Sequence, residues 1–270
     1  MSLSGKQWIW VSQDDERISE LVEDLQIPAA VARIMFNRGI DDPEKARSFL
    51  SPTSERLYSP WQMYGMKEAV ARINEALEKK EKIMVHGDYD ADGISAAVIM
   101  VEALRDLEAS VDYFLPSRFE EGYGLHSDAI NSFAEKEFSL LITVDCGINA
   151  AAEVEYASSI GLDTIITDHH QPLEQIDGAV AIINPFQQNC AYPFKELSGA
   201  GIAFKLASAL YEVKKLPFPR HLFDLAALGT AADVVPLLDE NRILVTEGLE
   251  LIRQLKRTGF RALAETVSLD

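Results

Sequence analysis

Four ionisable side chains follow a short apolar run near residue 85. They are His86, Asp88, Asp90 and Asp92, within the octet His86-Gly87-Asp88-Tyr89-Asp90-Ala91-Asp92-Gly93. Acidic groups crowded in this way repel one another unless a cation binds between them. Hard divalent cations prefer oxygen and imidazole ligands, so the octet predicts a metal site.

The alternation of Asp88, Asp90 and Asp92 partly resembles a calcium-binding loop. That pattern requires a Glu at a fixed downstream position and helices on both sides. Position 99, where this Glu would fall, is Ile99, and a predicted strand precedes the octet. We therefore reject a calcium loop.

The elements that must position the octet follow from hydrophobic periodicity. Strands are predicted at 83–86, 111–115, 140–144, 164–167 and 179–183, and helices at 94–107, 127–137, 150–159 and 202–214. Continuous apolar strands bounded by helices are typical of a parallel sheet buried on both faces. The predicted fold class is α/β, with an approximately five-stranded parallel sheet, helices on both faces, a helical leader before it and a long C-terminal helix after it.

The first 80 residues are predicted to be helical, with a loop at 51–60 before a helix at 66–79. We expect residues 1–80 to form a helical leader packed on the core. Residues 81–238 would form the α/β domain, and residues 239–270 would be helical, with 241–258 as one long helix.

Further polar residues fall at the predicted strand ends, where ligands bind in open parallel sheets. Asp145 follows one strand, Asp168-His169-His170 follow another, and Asp233 follows an apolar stretch. Together with the octet they could surround two metal ions that clamp the oxygens of a phosphoryl transfer. A lone Asp at a strand end more often caps a helix, and this alternative remains open for Asp145 and Asp168 taken singly.

Two segments could bind an anion. Arg118, in the turn-rich stretch 116–125, could pair with a phosphate, or else with Glu120 or Glu121. The stretch Ser198-Gly199-Ala200-Gly201 opens a helix that contains Lys205, and exposed N–H groups at such a start can hold an anion. The alternative is that these glycines permit close packing. Cys146 is expected to be a packed residue, because thiolates favour softer metals.

The net charge of −18 argues against a nucleic-acid partner. However, 10 Lys and Arg residues balance 10 Asp and Glu residues over 195–270, so the acidic excess lies in 1–194. Two cysteines give no disulfide framework, and no apolar run approaches the roughly 20 residues of a membrane span. A cytoplasmic protein is expected.

The ordered motifs resemble the DHH phosphoesterase superfamily, which takes its name from the sequence present here as Asp168-His169-His170. Within it, the resemblance is to bacterial exonucleases that degrade single-stranded DNA in the 5′→3′ direction. It covers nearly the whole chain. The motifs lie at 38–40, 87–93, 116–125, 144–147, 167–170, 198–201, 228–237 and 240–242.

The resemblance implies two Mn²⁺ or Mg²⁺ ions. The implied ligands are His86, Asp90, Asp92, Asp145, His169 and Asp233. Asp88 and Asp168 would support these ligands without touching metal. His170, Asp90 and Asp145 would be catalytic, with His170 stabilising charge on the scissile phosphate. Arg118, Ser198, Gly199, Gly201 and Lys205 would contact the substrate.

The implied reaction is metal-assisted hydrolysis of single-stranded DNA to 5′-mononucleotides in repair and recombination. A single-strand-binding protein and a helicase are expected cellular partners. Association with a membrane is not expected. The exonucleases have a second domain with a Gly-Gly-His motif, which nothing here matches, so the resemblance implies the catalytic portion of a longer protein. In that case 81–238 would be the catalytic domain, and 239–270 would be a connecting helix towards a second domain absent from this chain. Rival interpretations are another phosphoesterase of the superfamily (a pyrophosphatase or oligoribonuclease), a non-catalytic replication or repair scaffold, and a metal-stabilised domain without catalysis.

Overall fold

The computed structural model describes residues 14–119, 122 and 124–267. The chain divides into two compact units, Met1–Thr53 and Ser54–Asp270. The division falls inside the loop predicted at 51–60. The helix predicted at 66–79 therefore belongs to the larger unit, and the domain boundaries expected at 80 and 238 stay predictions.

The smaller unit contains three helices: α1 (Asp15–Leu25), α2 (Ala29–Asn37) and α3 (Pro43–Leu50). Local signals end α2 and begin α3. Gly39 follows α2 with φ 76°, which is the left-handed conformation of a C-terminal glycine cap. Asp42 caps α3 by accepting hydrogen bonds from the N–H groups of Glu44 and Lys45. A small apolar core that includes Leu21 and Met35 joins the three helices.

A five-stranded parallel sheet forms the centre of the larger unit. Its strands are β1 (Lys82–Gly87), β2 (Ser110–Phe114), β3 (Phe138–Val144), β4 (Asp163–Thr167) and β5 (Ala181–Ile183), in the order β2-β1-β3-β4-β5. Every neighbouring pair is parallel. The predicted sheet is confirmed, with strand ends shifted by one or two residues.

Alternating side chains of the strands enter two separate cores. Ile83 and Val85 of β1 lie in one core with α4 (Met66–Lys79), α5 (Ala91–Asp106) and α8 (Gly199–Val213). Met84 lies in the other, with α6 (Ser127–Glu135) and α7 (Ala151–Ser159). Successive side chains of a strand point to opposite faces, so helices cover both faces of the sheet, as predicted.

The C-terminal part is helical but differs from the single helix predicted at 241–258. It contains α9 (Phe223–Ala232), α10 (Asp239–Ile252) and α11 (Thr258–Thr266). A turn after α10 has Leu255 at φ 45°, and the Arg261 side chain donates hydrogen bonds to the carbonyl oxygens of Leu255 and Lys256. Apolar periodicity continued through this turn, and for that reason the sequence did not predict the break.

None of the helices formed by the described residues is both long enough and apolar enough to cross a bilayer.

Candidate metal centre

Three neighbouring strands bring the predicted metal ligands to one edge of the sheet. The octet follows β1, Asp145 follows β3, and Asp168 to His170 follow β4. These strands are adjacent and parallel, so their carboxyl ends share an edge. Asp233, directly after α9, joins them from outside the sheet.

His169 lies at the centre of the cluster. Its Nε2 is 3.1 Å from Asp145 Oδ1, 3.7 Å from Asp233 Oδ2 and 4.0 Å from Asp92 Oδ2. One ligand atom each from Asp92, His169 and Asp233 lie within 4.8 Å of one another. This group has the size and the donor types of a divalent metal site.

A second group consists of Asp88, Asp90 and Asp145, whose ligand oxygens also lie within 4.8 Å of one another. Asp88 was predicted to support the site without touching metal, and the structure places one of its carboxylate oxygens within 4.8 Å of a carboxylate oxygen of both Asp90 and Asp145. A third combination joins Asp145 with both histidines. Asp145 therefore belongs to two of the three groups. It also lies beside His169, which belongs to the remaining group.

Several ligand atoms of the cluster are buried without a hydrogen-bond partner. Among the described residues these include Asp88 Oδ1, Asp145 Oδ1 and His169 Nε2. The last two lie 3.1 Å apart but lack the alignment of a hydrogen bond. Buried polar atoms without partners are costly. Cations bound at the two groups that share Asp145 would supply partners for all three atoms. The residues present therefore fit a divalent metal.

Helix N-termini hold two of the carboxylates. Asp90 caps α5, with Oδ1 accepting the N–H groups of Asp92 and Gly93 at 2.9 Å each. Asp92 accepts the N–H groups of Gly199 (2.7 Å) and Ala200 (3.0 Å) at the start of α8. Both arrangements place an anion at the positive end of a helix dipole, which fixes the orientation of each carboxylate.

Burial dominates the electrostatics of the cluster. It raises the pKa of Asp145 to about 7 and that of Asp92 to about 6. Burial alone would lower the pKa of His169, but the surrounding carboxylates, Asp145 first among them, raise it to about 9. A divalent cation would lower these carboxyl pKa values again.

Asp145 has an unusual backbone conformation, with φ 60°. Left-handed geometry is uncommon for non-glycine residues, although Asp and Asn tolerate it better than most. Its N–H donates to the Thr167 carbonyl oxygen at 2.9 Å, which extends the pairing of β3 with β4 by one residue. The turn that follows directs the carboxylate towards His169.

His86 does not belong to any of the three groups found among the described residues. Its Nε2 lies 3.1 Å from the Gly124 carbonyl oxygen, and burial lowers its pKa to about 4. The neutral ring must donate from Nε2 to this carbonyl, so Nδ1 carries the lone pair. That buried Nδ1 finds no partner in the described part of the chain, as a ligand atom would. Its role in metal binding stays a prediction.

Asp168 organises the His-His pair rather than joining a metal group. Its Oδ1 accepts hydrogen bonds from the N–H (2.9 Å) and Nδ1 (2.7 Å) of His170, and its Oδ2 accepts the N–H of Ile148 (2.9 Å). The hydrogen bond to Asp168 raises the pKa of His170. The supporting role of Asp168 in metal binding stays a prediction.

The glycine-rich start of α8 binds an anion that belongs to the protein itself, the Asp92 carboxylate. A Cβ on Gly199 would lie 2.5 Å from Asp145 Oδ1, so glycine permits the close approach of α8 to the cluster. The Ser198 hydroxyl accepts the Gly201 N–H at 3.1 Å. The geometry supports the packing alternative for Ser198, Gly199 and Gly201.

Two other predicted substrate contacts lie in different surroundings. Lys205 is 2% exposed and forms an ion pair of 2.6 Å with Glu240, so the structure does not bring it to the cluster. Arg118 is exposed, with its guanidinium carbon 5.4 Å from the centre of the Tyr89 ring. Its alternative partners Glu120 and Glu121 lie outside the described residues.

Gly229 lies against the cluster, at a position that the sequence did not single out. A Cβ there would lie 2.4 Å from Asp92 Oδ1 and 2.5 Å from the Ala200 Cβ. A larger residue would push Asp92 out of place. The motif at 228–237 contained this glycine, but no signal linked it to Asp92. Cys146 is fully buried, as expected of a packed residue.

Comparison with known proteins identifies relatives of this chain. The model of the DHH family, N-terminal domain, matches residues 82–230. The single-stranded-DNA-specific exonuclease RecJ of Bacillus subtilis (strain 168) is 47% identical over 263 residues, covering 97% of this chain. The chain spans only 33% of the length of that relative.

Solved structures show the same relationship. RecJ from Thermus thermophilus in complex with Mn²⁺ is 34% identical, with a TM-score of 0.80 over 96% of this chain and 36% of that one. The corresponding Mg²⁺ complex is 32% identical, with a TM-score of 0.69 over 96% of this chain and 33% of that one. Since the family model matches more than half of its residues, the chain belongs to the DHH family.

Proposed function

We propose that this chain carries the catalytic site of a metal-dependent exonuclease. The enzyme would hydrolyse single-stranded DNA from the 5′ end to 5′-mononucleotides in DNA repair and recombination. The observation that carries the proposal is the convergence of Asp92, Asp145, His169 and Asp233 on a small volume with unpartnered ligand atoms. The substrate and the direction are supported by the similarity to RecJ proteins.

The site would hold two ions of Mn²⁺ or Mg²⁺, the metals bound by the Thermus thermophilus protein. One set of ligands would be Asp92, His169 and Asp233. The other would contain Asp90 and Asp145, with His86 reaching from β1. Such ions lower the pKa of a water molecule and neutralise charge on phosphate oxygens.

The chain's own residues would orient the reaction. Asp168 accepts the Nδ1 hydrogen of His170, which fixes the ring and supports its protonated form. Protonated His170, with its side chain 43% exposed, would donate a hydrogen bond to a non-bridging oxygen of the scissile phosphate. Donors fixed before the reaction stabilise developing charge at low reorganisation cost.

The proposed surroundings of the enzyme are cytoplasmic. Both cysteines are buried and free, as is usual in a reducing compartment. Single-stranded DNA would be the principal partner, with a single-strand-binding protein and a helicase acting on the same DNA. Copurification of these proteins in the presence and absence of nuclease would test the association.

Degradation of single-stranded DNA labelled at the 5′ end, with Mn²⁺ present, tests the proposed activity. The protein should be the full-length product of its gene. We expect labelled mononucleotide as the first product, and no release from a duplex without a single-stranded end. Asp145→Asn should abolish release. Asp163→Asn serves as the matched control, because Asp163 pairs with Arg72 at the opposite end of β4 and should leave activity intact.

Two other outcomes would favour different functions. Hydrolysis of pyrophosphate or short oligoribonucleotides, without action on single-stranded DNA, would assign the site to another phosphoesterase. Binding of single-stranded DNA without hydrolysis, when Mn²⁺ is bound, would indicate a scaffold.

A further inference from the structure

The segment that carries both histidines lacks regular secondary structure. Residues 168–178, between β4 and β5, form neither helix nor strand. Backbone polar groups outside a ladder must find other partners. The position of His169 and His170 therefore depends on the individual hydrogen bonds that this segment makes.

Asn184 supplies one of these hydrogen bonds from the end of the neighbouring strand, β5. It follows β5 directly and is 0% exposed. Its side-chain Nδ2 donates to the His170 carbonyl oxygen at 2.8 Å. Its Oδ1 accepts the N–H of Phe186 at 2.7 Å. A single buried amide thus connects the backbone of His170 to the loop after β5.

A carboxamide suits both contacts at this position. The carbonyl oxygen of His170 requires a donor and the N–H of Phe186 requires an acceptor, and the Asn side chain offers one of each. An aliphatic residue would remove the partner of both groups in partly buried surroundings.

The Asp168 and Asn184 side chains act on opposite polar groups of His170. Asp168 accepts its N–H and its Nδ1, while Asn184 binds its carbonyl oxygen. In addition, the Asp168 N–H donates to the Ile183 carbonyl oxygen at 3.1 Å, which brings Asn184 next to the histidine pair. His170 is therefore held from both ends of its backbone.

Asn149 provides a second, weaker restraint further along. From the loop after β3, its Nδ2 donates to the Gln171 carbonyl oxygen at 3.2 Å and its Oδ1 accepts the Leu173 N–H at 2.9 Å. Asn149 is exposed, so water can replace these bonds, whereas it cannot readily replace those of Asn184.

We propose that Asn184 is a positioning residue for His170. It fixes the backbone from which the imidazole reaches the scissile phosphate, and it contacts no metal ligand through its own side chain. The kinetic part of this proposal rests on the proposed function, in which His170 stabilises charge during phosphodiester hydrolysis.

Steady-state kinetics on single-stranded DNA with Mn²⁺ test the proposal. Asn184→Ala should lower kcat by about 10- to 100-fold, since a small displacement of a catalytic group has effects of this size. KM and Mn²⁺ affinity should stay within about twofold of wild type. Asn149→Ala should have a smaller effect. Asn74→Ala is the matched control, because Asn74 donates to the Val70 carbonyl oxygen on α4, and it should leave kcat unchanged.

A double-mutant cycle distinguishes positioning from general stabilisation. If Asn184 acts through His170, then Asn184→Ala should cause no further fall in kcat when His170→Ala is already present. An additive fall would overturn the proposal. If Asn184→Ala does not fold, Asn184→Ser replaces it in the cycle, because serine keeps a polar atom but is too short to make both contacts.

Amide hydrogen exchange of the metal-free protein gives a result that does not require activity. In the Asn184 variant, exchange should accelerate at the His170 N–H, while the amides of β1 and β3 keep their wild-type rates. Unchanged exchange at His170, or uniform acceleration throughout the sheet, would contradict the proposal. A wild-type protein inactive on single-stranded DNA would instead refute the proposed function, and the exchange experiment would still decide the role of Asn184.

Discussion

At the residue scale, backbone hydrogen bonds orient two of the candidate metal ligands. The Asp90 and Asp92 carboxylates are each held by backbone N–H groups of a different helix. Several N–H groups that converge on one carboxylate at a helix N-terminus fix its direction. Ligand orientation in this part of the site is therefore a property of the fold.

Asp145 should be essential for metal binding but dispensable for folding. Replacement of a group that only supports a ligand costs about 10- to 100-fold in affinity or activity, and loss of a shared ligand should exceed that. We expect Asp145→Asn to lower Mn²⁺ affinity by more than about 100-fold, as measured by isothermal titration calorimetry. Unchanged affinity, in a variant with a wild-type circular dichroism spectrum, would show that Asp145 is not a ligand.

Two glycines at the start of α8 should respond differently to substitution by alanine. At Gly199, the new Cβ would lie 2.5 Å from Asp145 Oδ1, so we expect a loss of stability of about 1–3 kcal/mol together with weaker Mn²⁺ binding. At Gly201, the nearest atom is Leu197 Cδ2 at 3.2 Å, the end of a flexible side chain. Gly201→Ala should therefore retain stability and metal affinity. Urea unfolding and calorimetry measure both, and equal effects at the two positions would contradict this account.

The types and approximate positions of the site residues could be predicted because strand ends in a parallel sheet converge. The group that accepts the N–H hydrogen bonds at the start of α8 could not be predicted. Gly199 and Asp92 are 107 positions apart, and only the packing of α8 against α5 brings them together. From the sequence, close packing of the glycines and binding of an external anion were both open. In the structure, the carboxylate bound at the start of α8 is that of Asp92.

At the element scale, a buried ion pair fixes α8 relative to α10. Lys205 Nζ bonds Glu240 Oε1 at 2.6 Å and the Tyr58 carbonyl oxygen at 2.5 Å. The Tyr192 hydroxyl donates to Glu240 Oε2 at 2.5 Å. The start of α8 binds the Asp92 carboxylate, and the loop after Asp233 leads into α10. This pair therefore connects two helices that adjoin candidate metal ligands.

Removal of one partner of this pair should be strongly destabilising. Lys205→Met leaves the Glu240 charge buried, and we expect a loss of about 3–5 kcal/mol in the free energy of unfolding. The double variant Lys205→Met/Glu240→Gln should lose less, because no unpaired charge remains. Lys79→Met, which disrupts the exposed pair with Glu75, should have little effect. Urea denaturation measures all three, and a double variant as unstable as Lys205→Met would argue against the charge-burial explanation.

The elements themselves were largely predictable, and the exceptions have local causes. Helix α4 was predicted at its observed residues because Ala69, Val70 and Ile73 repeat on one buried face. The end of α10 was not predicted, since Leu251, Ile252 and Leu255 continue the helical spacing through the turn. Contacts of Arg261 with backbone carbonyl groups there depend on the tertiary structure.

At the scale of the whole molecule, negative charge is concentrated where metal would bind. The chain has a net charge of −18, and several acidic groups lie buried at one edge of the sheet. Self-repulsion among such groups opposes folding. A divalent cation that binds only the folded state would relieve it.

Mn²⁺ should therefore raise the thermal stability of the protein. At a free concentration about 100 times the dissociation constant, binding to one site contributes about 2.7 kcal/mol, which corresponds to an increase in Tm of about 5–10 °C for a unit of this size. Differential scanning calorimetry with and without EDTA measures the shift. Asp145→Asn should abolish most of it, and an equal shift in that variant would place the metal elsewhere.

The left-handed backbone at Asp145 has an evolutionary consequence. Asparagine adopts φ values near 60° as readily as aspartate and has nearly the same shape, and one nucleotide change converts an Asp codon into an Asn codon. A gene copy could thus exchange this carboxylate for a neutral amide in a single mutational step without backbone strain. Descendants that keep the fold but lack the proposed activity would therefore be accessible without an unfolded intermediate.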